Sequence, residues 1–283
     1  MSFAVVDGDD PLLIVPCSAG PTGLDYYGMP IKLFPRAGGD KGAIEQAVQT
    51  AFREFDTIIS RNSLVSASIS DAESGLELSA VGKQCLNRKA TAALRMSGLC
   101  ELETGPDQMR RGLRKSYRSL VNWGRANLNV EYVNTNNPDR ALFDRYQSFH
   151  RTVAGRSTRP QKSWDVMFEW LVGGGGELIL AFLSSGELVA GTMIVDGTEV
   201  SNYASGVYDR TKFDKPLAHW PLWLGITRSC ERGLRLFDLG DIPISGVSEK
   251  EIDIGYFKRG FANKISTSIG WTWEVPRSDL LSS

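Results

Sequence analysis

The sequence predicts an α+β chain of two domains, each a mixed sheet with helices packed on it. Three observations carry that reading. Short apolar runs bounded by Gly, Pro, Asp and Ser alternate with amphipathic stretches along the chain, the pattern of a layered mixture. Between residues 177 and 205, three apolar runs follow one another through Ser184-Ser185-Gly186 and Asp196-Gly197-Thr198, which is tight-turn chemistry. The chain of 283 residues fits two domains, with room for a self-sufficient core.

The first third is rich in strand signals. Apolar runs at 3–7 and 12–17 flank Asp7-Gly8-Asp9-Asp10-Pro11, a hairpin signal. A short run follows at 31–34. Asp40 is placed to cap a helix reaching about residue 60, with Ile44, Val48, Ala51, Phe52 and Phe55 on one face. Further strands are expected at 64–69, 76–81 and 99–103. Gly105-Pro106-Asp107 breaks the pattern, and one long helix is expected from 107 to 127, with Met109, Leu113, Tyr117, Leu120 and Trp123 as its apolar side. The expected division is therefore a first domain at 1–105, a linking basic helix at 106–128 and a second domain at 129–283.

The second domain has a clearer order. A strand at 128–133 precedes two helices, opened by Pro138 and by Pro160. Gly173-Gly174-Gly175-Gly176 stops the second helix. Strands at 177–183, 188–195 and 199–205 follow. Next come a helix at 215–231, a strand at 236–239, a short helix at 248–261 and a closing strand at 266–274. The order is β-α-α-β-β-β-α-β-α-β.

Composition removes several function classes. With 42% hydrophobic, 23% charged and 10% aromatic residues, the chain is neither disordered nor collagen-like. Its formal net charge of −1 argues against a globally basic nucleic-acid coat protein and leaves room for a local basic patch. No apolar run approaches the roughly 20 residues of a membrane span, and the first ten residues lack the features of a signal peptide. Cys17, Cys85, Cys100 and Cys230 are scattered without a C-x-x-C pair, which suits free thiols in a cytoplasmic protein. Phosphate-loop, serine-hydrolase elbow and zincin signatures are all missing. With His150 and His219 as its only histidines, the sequence holds no multi-histidine metal site. His219 reads as a packed helix residue, and the tetraglycine reads as a connector.

Three groups of residues remain as candidates. Arg110, Arg111, Arg114, Lys115 and Arg118, with Arg125 beyond, form the densest basic feature. It is either a solvated helix face or a surface for a polyanion such as tRNA, a nucleotide diphosphate or coenzyme A. Arg151, Arg156 and Arg159 form a second cluster on a loop of small residues, where a guanidinium fork reaches a phosphate. In Ile254-Gly255-Tyr256-Phe257-Lys258-Arg259-Gly260-Phe261-Ala262, an aromatic pair beside a lysine suits a pocket with one cation, able to steady an oxyanion or orient an acyl ester. The plainer reading is an amphipathic helix with an exposed lysine.

The strand motif at 233–241 and the segment at 255–262 resemble the closing signature of the FemABX peptidyl transferases. Asn202-Tyr203-Ala204-Ser205-Gly206, Lys215-Pro216-Leu217-Ala218-His219-Trp220 and Arg114-Lys115-Ser116-Tyr117-Arg118 resemble further motifs of that family, in the same order. The element order is also that of the GNAT acyltransferase fold. The resemblance covers about residues 110–262. It implies two GNAT-like domains, the first shortened and the second complete, and the transfer of an aminoacyl group from aminoacyl-tRNA to an amine. Neither a metal nor a cofactor is implied. By position, Phe257 and Lys258 fall on the pair placed at the acyl ester, and Lys258 would steady the oxyanion or the leaving ribose hydroxyl. Tyr203 falls near the acceptor, and Asp238 or Asp241 is a candidate for the amine's proton. Arg156 or Arg159 lies near a diphosphate-holding arginine, and Tyr256 and Trp220 join them as substrate-binding residues. Arg110, Arg111, Arg114, Lys115 and Arg118 would meet tRNA or another phosphate.

The sequence also departs from the family pattern. Ala262 replaces the usual final glycine, the long coiled-coil arm is absent, and the phosphate-holding lysine of the first domain has no counterpart. The expected acceptor is therefore a peptidoglycan precursor or a small-molecule amine. An acyl-CoA donor is the alternative, although no Q-x-x-G-x-G loop is visible. A third reading is a non-catalytic GNAT-like scaffold that binds nucleic acid or a partner.

Overall fold

The computed structural model describes residues 1–21, 23–26, 28–71, 77–212, 214–243 and 248–275. They fall into two compact units, Met1–Arg95 together with the chain from Thr267 onward, and Met96–Ser266.

In the first unit, β1 (Phe3–Asp7) and β2 (Asp10–Val15) form the expected hairpin, turning through Gly8 at φ +59°. The chain continues through β3 (Ser18–Ala19), β4 (Gly23–Asp25), β5 (Ile31–Lys32) and β6 (Phe34–Pro35). The single run expected at 31–34 is therefore split: β5 pairs with one sheet and β6 with β2. Helix α1 (Lys41–Arg61) starts where Asp40 accepts a hydrogen bond from the Ala43 amide at 2.9 Å. Its buried side, including Phe52 and Phe55, packs on β7 (Ser66–Asp71) and on Trp271 and Trp273.

The strand expected at 76–81 is not formed. Leu76 lies outside the described residues, and Ser79 instead caps helix α2 (Ala80–Asn87). The Ser79 hydroxyl donates to Asp71 at 2.5 Å and accepts from the Gly82 amide at 2.7 Å. That local serine bond takes the backbone out of the extended path. Next, β8 (Thr91–Glu101) runs eleven residues, far longer than the strand expected at 99–103.

The long helix expected at 107–127 is two helices, α3 (Pro106–Gly112) and α4 (Lys115–Asn127). Leu113 and Arg114 adopt extended angles between them, and the Arg114 amide bonds to the Gly260 carbonyl at 3.0 Å. Then come β9 (Asn129–Val133), α5 (Arg140–Ala154), α6 (Gln161–Val172), β10 (Gly176–Phe182), β11 (Leu188–Asp196), β12 (Val200–Tyr208), α7 (His219–Glu231), β13 (Leu236–Asp241), α8 (Glu249–Arg259) and β14 (Lys264–Glu274). From β9 onward the order is the one expected, although α7 starts four residues late. Within the second unit the sheet runs β8-β13-β12-β11-β10-β9. Strand β10, between β11 and the last strand β9, is buried along its whole length.

The bounds of the two units differ from the expected 1–105, 106–128 and 129–283. The basic helical segment is part of the second unit, and the final strand carries the chain back into the first, where β14 pairs with β7.

One ionic network braces the second unit. Glu177 on β10, its side chain 2% exposed, meets Arg228 Nε at 2.8 Å and Arg232. Arg232 also meets Asp196 at 2.7 Å. Among the described residues, no helix is long and apolar enough to cross a membrane.

Candidate active site

The site is built where two parallel strands part. Strands β12 and β13 pair only from Val200 to Asn202 against Leu236 to Asp238. The pairing of β12 with β11 then shifts register at Ala204 and continues to Tyr208, while β13 stays with β8 up to Asp241. A bulge of this kind re-aims the strand's side chains.

The end of β13 is shaped for a lysine. Asp238 accepts a hydrogen bond from the Gly240 amide at 2.7 Å, and Gly240 has φ +77°. A Cβ at Gly240 would stand 3.3 Å from Lys258 Nζ, which donates to the Asp241 carbonyl at 3.0 Å. Helix α8 brings Lys258 there because Gly255 lets it close on the chain after β13; a Cβ on Gly255 would meet Pro243 at 3.1 Å. Burial holds the Lys258 ammonium below the ordinary lysine value, and the carboxylates of Asp241 and Asp238 oppose that shift. Lys258 is half-buried, so the exposed lysine of the plainer reading does not describe it.

An aromatic cluster forms around the neighbouring residue, Phe257. Phe257 lies 5.2 Å from Phe261 and 5.2 Å from His219, and Tyr117 lies 4.6 Å from His219, both histidine contacts edge-on. Gly260 is required for this packing, since a Cβ there would be 2.0 Å from the Tyr117 ring. Burial, together with the Arg114 charge, pulls His219 down to about 4 against the opposing effect of the Pro216 carbonyl, so the imidazole is neutral at pH 7. Arg114 stacks on Tyr256 at 3.7 Å and donates to its carbonyl at 3.0 Å. These contacts tie α4 to α8.

Of the residues singled out from sequence, Lys258, Phe257, Asp238, Asp241, Arg114 and Tyr256 thus gather around α8. Tyr203 and Trp220 pack against the same apolar cluster as Phe257. The Tyr203 ring lies along its own strand over Gly206, and burial raises its phenol. Trp220 presses on Gly124 of α4.

Arg159 lies elsewhere. With Arg151, Gln147, Gln161 and Trp164 it lines a polar recess of about 370 Å³ on the loop between α5 and α6. Arg156 is exposed and is not part of that lining. Arg110, Arg111 and Arg118 line a further recess of about 360 Å³ with Asp107, and Lys115 is exposed in the first turn of α4.

Two features were not singled out from sequence. Tyr117 was read as part of a helix face and of a basic motif, with no role of its own, yet it joins α4 to Gly260. Tyr146 is fully buried and donates to Ser205 Oγ at 2.9 Å, and burial pushes its phenol up to about 12. A tyrosine on an apolar helix face gives no sign of its partner. The cysteines form no cluster, and burial pushes Cys85 and Cys100 each up to about 12, far from thiolate chemistry. Among the described residues, no group of three or more His, Cys, Asp or Glu side chains is arranged to hold a metal ion.

No protein-family model and no curated protein sequence matches the chain. Solved structures do. FemX is 12% identical, with TM-score 0.62, over 99% of this chain and 89% of FemX. L-PGS from Bacillus licheniformis is 11% identical, with TM-score 0.63, over 96% of this chain and 85% of that one. A tandem GNAT protein from the clavulanic acid biosynthesis pathway is 14% identical, with TM-score 0.50, over 96% and 82%. The chain has a FemABX-like tandem GNAT fold. At these identities the likeness establishes the fold, and the chemistry has to be argued from the site.

Proposed function

We propose that this protein is an amide-forming acyltransferase that moves an aminoacyl group from aminoacyl-tRNA to an amine. The observation that carries the reading is Lys258. It is a half-buried cation held on the carbonyl at the end of β13, next to Phe257 in the chain and under the influence of the Asp241 and Asp238 carboxylates. A preorganised cation in a partly desolvated site favours a developing oxyanion. The FemX-type fold supports the same chemistry.

In the reaction, an acceptor amine in its neutral form attacks the ester carbonyl carbon. A C–N bond forms, and the carbonyl oxygen takes up negative charge opposite Lys258. The ester C–O bond then breaks, and the terminal ribose oxygen leaves as a hydroxyl. The proton it gains equals the one the amine nitrogen loses, and Asp238 or Asp241, the two carboxylates acting on Lys258, receives it from the amine. Tyr203 and Trp220 border the acceptor, and Arg159 rather than Arg156 holds an anionic group of it in the polar recess. Positioning supplies much of the rate, so no covalent enzyme intermediate is called for. The acceptor is a peptidoglycan precursor or a small-molecule amine, and the cytoplasm, where charged tRNA is made, is the place of action.

The test is release of radiolabel from aminoacyl-tRNA pools to amine acceptors by wild-type protein and by Lys258→Ala. The expected result is transfer that falls about 10²–10³-fold in the variant, the usual cost of losing an oxyanion partner. Turnover with acyl-CoA and none with charged tRNA would replace the donor. Binding of RNA or protein with no turnover on either donor would leave a scaffold.

A further inference from the structure

Helix α6 is charged the wrong way round for a helix that stands alone. The positive end of a helix dipole favours acidic side chains in the first turn, and the negative end favours basic ones in the last. Helix α8 obeys this at both ends, with Glu249 and Glu251 in its first turn and Lys258 and Arg259 in its last. Helices α1, α3, α4, α5 and α7 each carry an arginine in the last turn, and Arg88 caps α2. Helix α6 has no basic residue in its last turn and no acidic one in its first. Instead Lys162 stands near its start and Glu169 near its end. Both are exposed, and neither side chain has a hydrogen-bond or ion-pair partner among the described residues. The same side of the helix is apolar in its middle. Trp164 and Leu171 are buried, and Val166 lies on the opposite side of the helix. Val166 and Trp170 are each 52% exposed, and no other tryptophan among the described residues is exposed. The Trp170 indole is fixed, because its N–H donates to the Gly175 carbonyl at 2.6 Å. With Val166, Glu169 and the glycines at 173–175 it lines a recess of about 410 Å³.

We propose that this face binds a second copy of the chain, α6 against α6 and antiparallel, about a two-fold axis at Val166. Three observations select a second copy as the occupant. First, the face is complementary to itself in charge. Lys162 and Glu169 are seven residues apart, close to two full turns, so they lie on one side of the exposed stripe. A two-fold at Val166 sets residues before it level with residues equally far after it in the other copy. Lys162 then comes within about 1.5 Å, one residue's rise, of the level of Glu169 of the second copy. The pair forms twice, as in any isologous contact. Second, the facing helix brings its positive end to the α6 terminus that lacks a cation, so both misplaced charges are answered together. Third, the apolar residues find partners. Val166 meets its own copy, and Trp170 comes against Ser163 of the second copy, an exposed side chain small enough to leave room for an indole. The contact is one helix face about 18 Å long at 1.5 Å per residue, with two apolar residues from each copy. The dimer is therefore weak and concentration-dependent rather than obligate. It is independent of the donor and acceptor of the transfer reaction.

The experiment is sedimentation velocity on the full chain from about 1 µM to about 500 µM, at low and at high salt. Wild type is expected to pass from monomer to dimer as concentration rises, and to do so less at high salt, where the two ion pairs are screened. Val166→Glu sets two carboxylates against each other on the axis and is expected to leave a monomer throughout. Lys162→Glu and Glu169→Lys each place like charges together twice, and each is expected to weaken dimerisation by about tenfold or more. The double swap Lys162→Glu/Glu169→Lys restores opposite charges and is expected to recover the dimer. All three side chains are exposed, so the variants should keep the wild-type melting temperature. Val166→Cys gives a second readout, because the new thiol faces its own copy. Oxidation by air with copper phenanthroline is expected to yield a disulfide-linked dimer, and Gln49→Cys on the exposed side of α1 is expected to yield none. A monomer at every concentration overturns the proposal. So does a dimer that Val166→Glu leaves intact, because the contact then lies elsewhere. A dimer that the charge swap fails to restore overturns the antiparallel register on which the proposal stands.

Discussion

Two sets of arginines in the second unit stand in opposite circumstances. On α7, Arg228 and Arg232 converge on the buried Glu177, and Arg232 also reaches Asp196. On α3 and α4, Arg110 donates to the Asn122 amide oxygen and Arg118 to the Arg111 carbonyl, and among the described residues neither they nor Arg111 forms an ion pair. In the sequence both sets are arginines on amphipathic helices. The difference lies in what the sheet offers. Carboxylates on two adjacent strands, Glu177 and Asp196, pair with the first set, and among the described residues no carboxylate forms an ion pair with the second. The first set is expected to govern stability and the second binding.

The largest effect should come from the paired set. Glu177→Gln leaves two guanidinium groups facing a neutral amide next to a buried strand. Breaking a buried ion pair costs about 3–5 kcal/mol, and because Arg228 and Arg232 keep roughly a third of their surface in water, the expected loss is about 3 kcal/mol. Urea unfolding would show a lower midpoint with an unchanged slope. A loss below about 0.5 kcal/mol, the scale of ordinary surface changes, would erase the distinction between the two sets.

Arg114 is the intermediate case, because rings and carbonyls hold it and, among the described residues, no carboxylate forms an ion pair with it. Gly260→Ala tests that junction. The added methyl would sit 2.0 Å from the nearest Tyr117 ring atom, and Tyr117 is buried with Arg114 against it. Overpacking of this kind costs about 1–3 kcal/mol. Aminoacyl transfer is expected to fall with stability, because Phe257 and Lys258 precede Gly260 on the same turn. Near-ultraviolet circular dichroism and the transfer assay would report the two effects.

Much of this arrangement was legible in the sequence, for physical reasons that differ from place to place. The hairpin at Gly8, the Asp40 cap and the three-strand run from Gly176 to Tyr208 were readable because turn and cap chemistry is local. The strand expected at 76–81 failed because a Ser79–Asp71 bond reaches back to the preceding strand. The single helix at 107–127 failed because Gly260, far along the chain, takes the Arg114 amide. At the site, the aromatic-lysine segment was visible as a motif. What the sequence left open was burial and partnership. It does not show that Lys258 is half-buried on the Asp241 carbonyl, that Arg159 rather than Arg156 lines a recess, or that Tyr117 packs on Gly260. Each depends on a residue distant in sequence.

His219 reports the Arg114 charge from within the cluster. Its folded value is about 4, pulled down first by burial, against an ordinary 6.5. The unfolded chain therefore takes up a proton that the folded one refuses between those values. The stability this group contributes is complete above pH 6.5 and is lost as pH falls toward 4, with a slope of about 1.4 kcal/mol per pH unit for one proton. His219→Phe should remove that part of the slope. Arg114→Gln takes away a neighbouring positive charge, so the imidazole should titrate higher, closer to 6.5, as read from its ring-proton shift. An unmoved titration would mean that Arg114 is electrostatically silent and belongs with the neutralised set.

The smallest expected effect on stability is the most informative one. Arg111→Gln removes a charge from an exposed side chain with no ion-pair partner among the described residues, so it should change unfolding free energy by less than about 0.5 kcal/mol. It removes a cation from a recess where Arg110 and Arg118 also stand, so mutual repulsion falls, and the change is expected to be slightly stabilising at low salt and to vanish at high salt. That sign separates a surface kept charged for a partner from one kept charged for the fold. If Arg111 stabilised the fold, its loss would lower the melting temperature at every salt concentration. If it waits for a polyanion, its loss should raise the melting temperature of the free protein and lower that of the protein saturated with tRNA, since a ligand bound only to the folded state stabilises it in proportion to its affinity. Paired melts of the variant and wild type, with and without tRNA, would read both signs in one experiment.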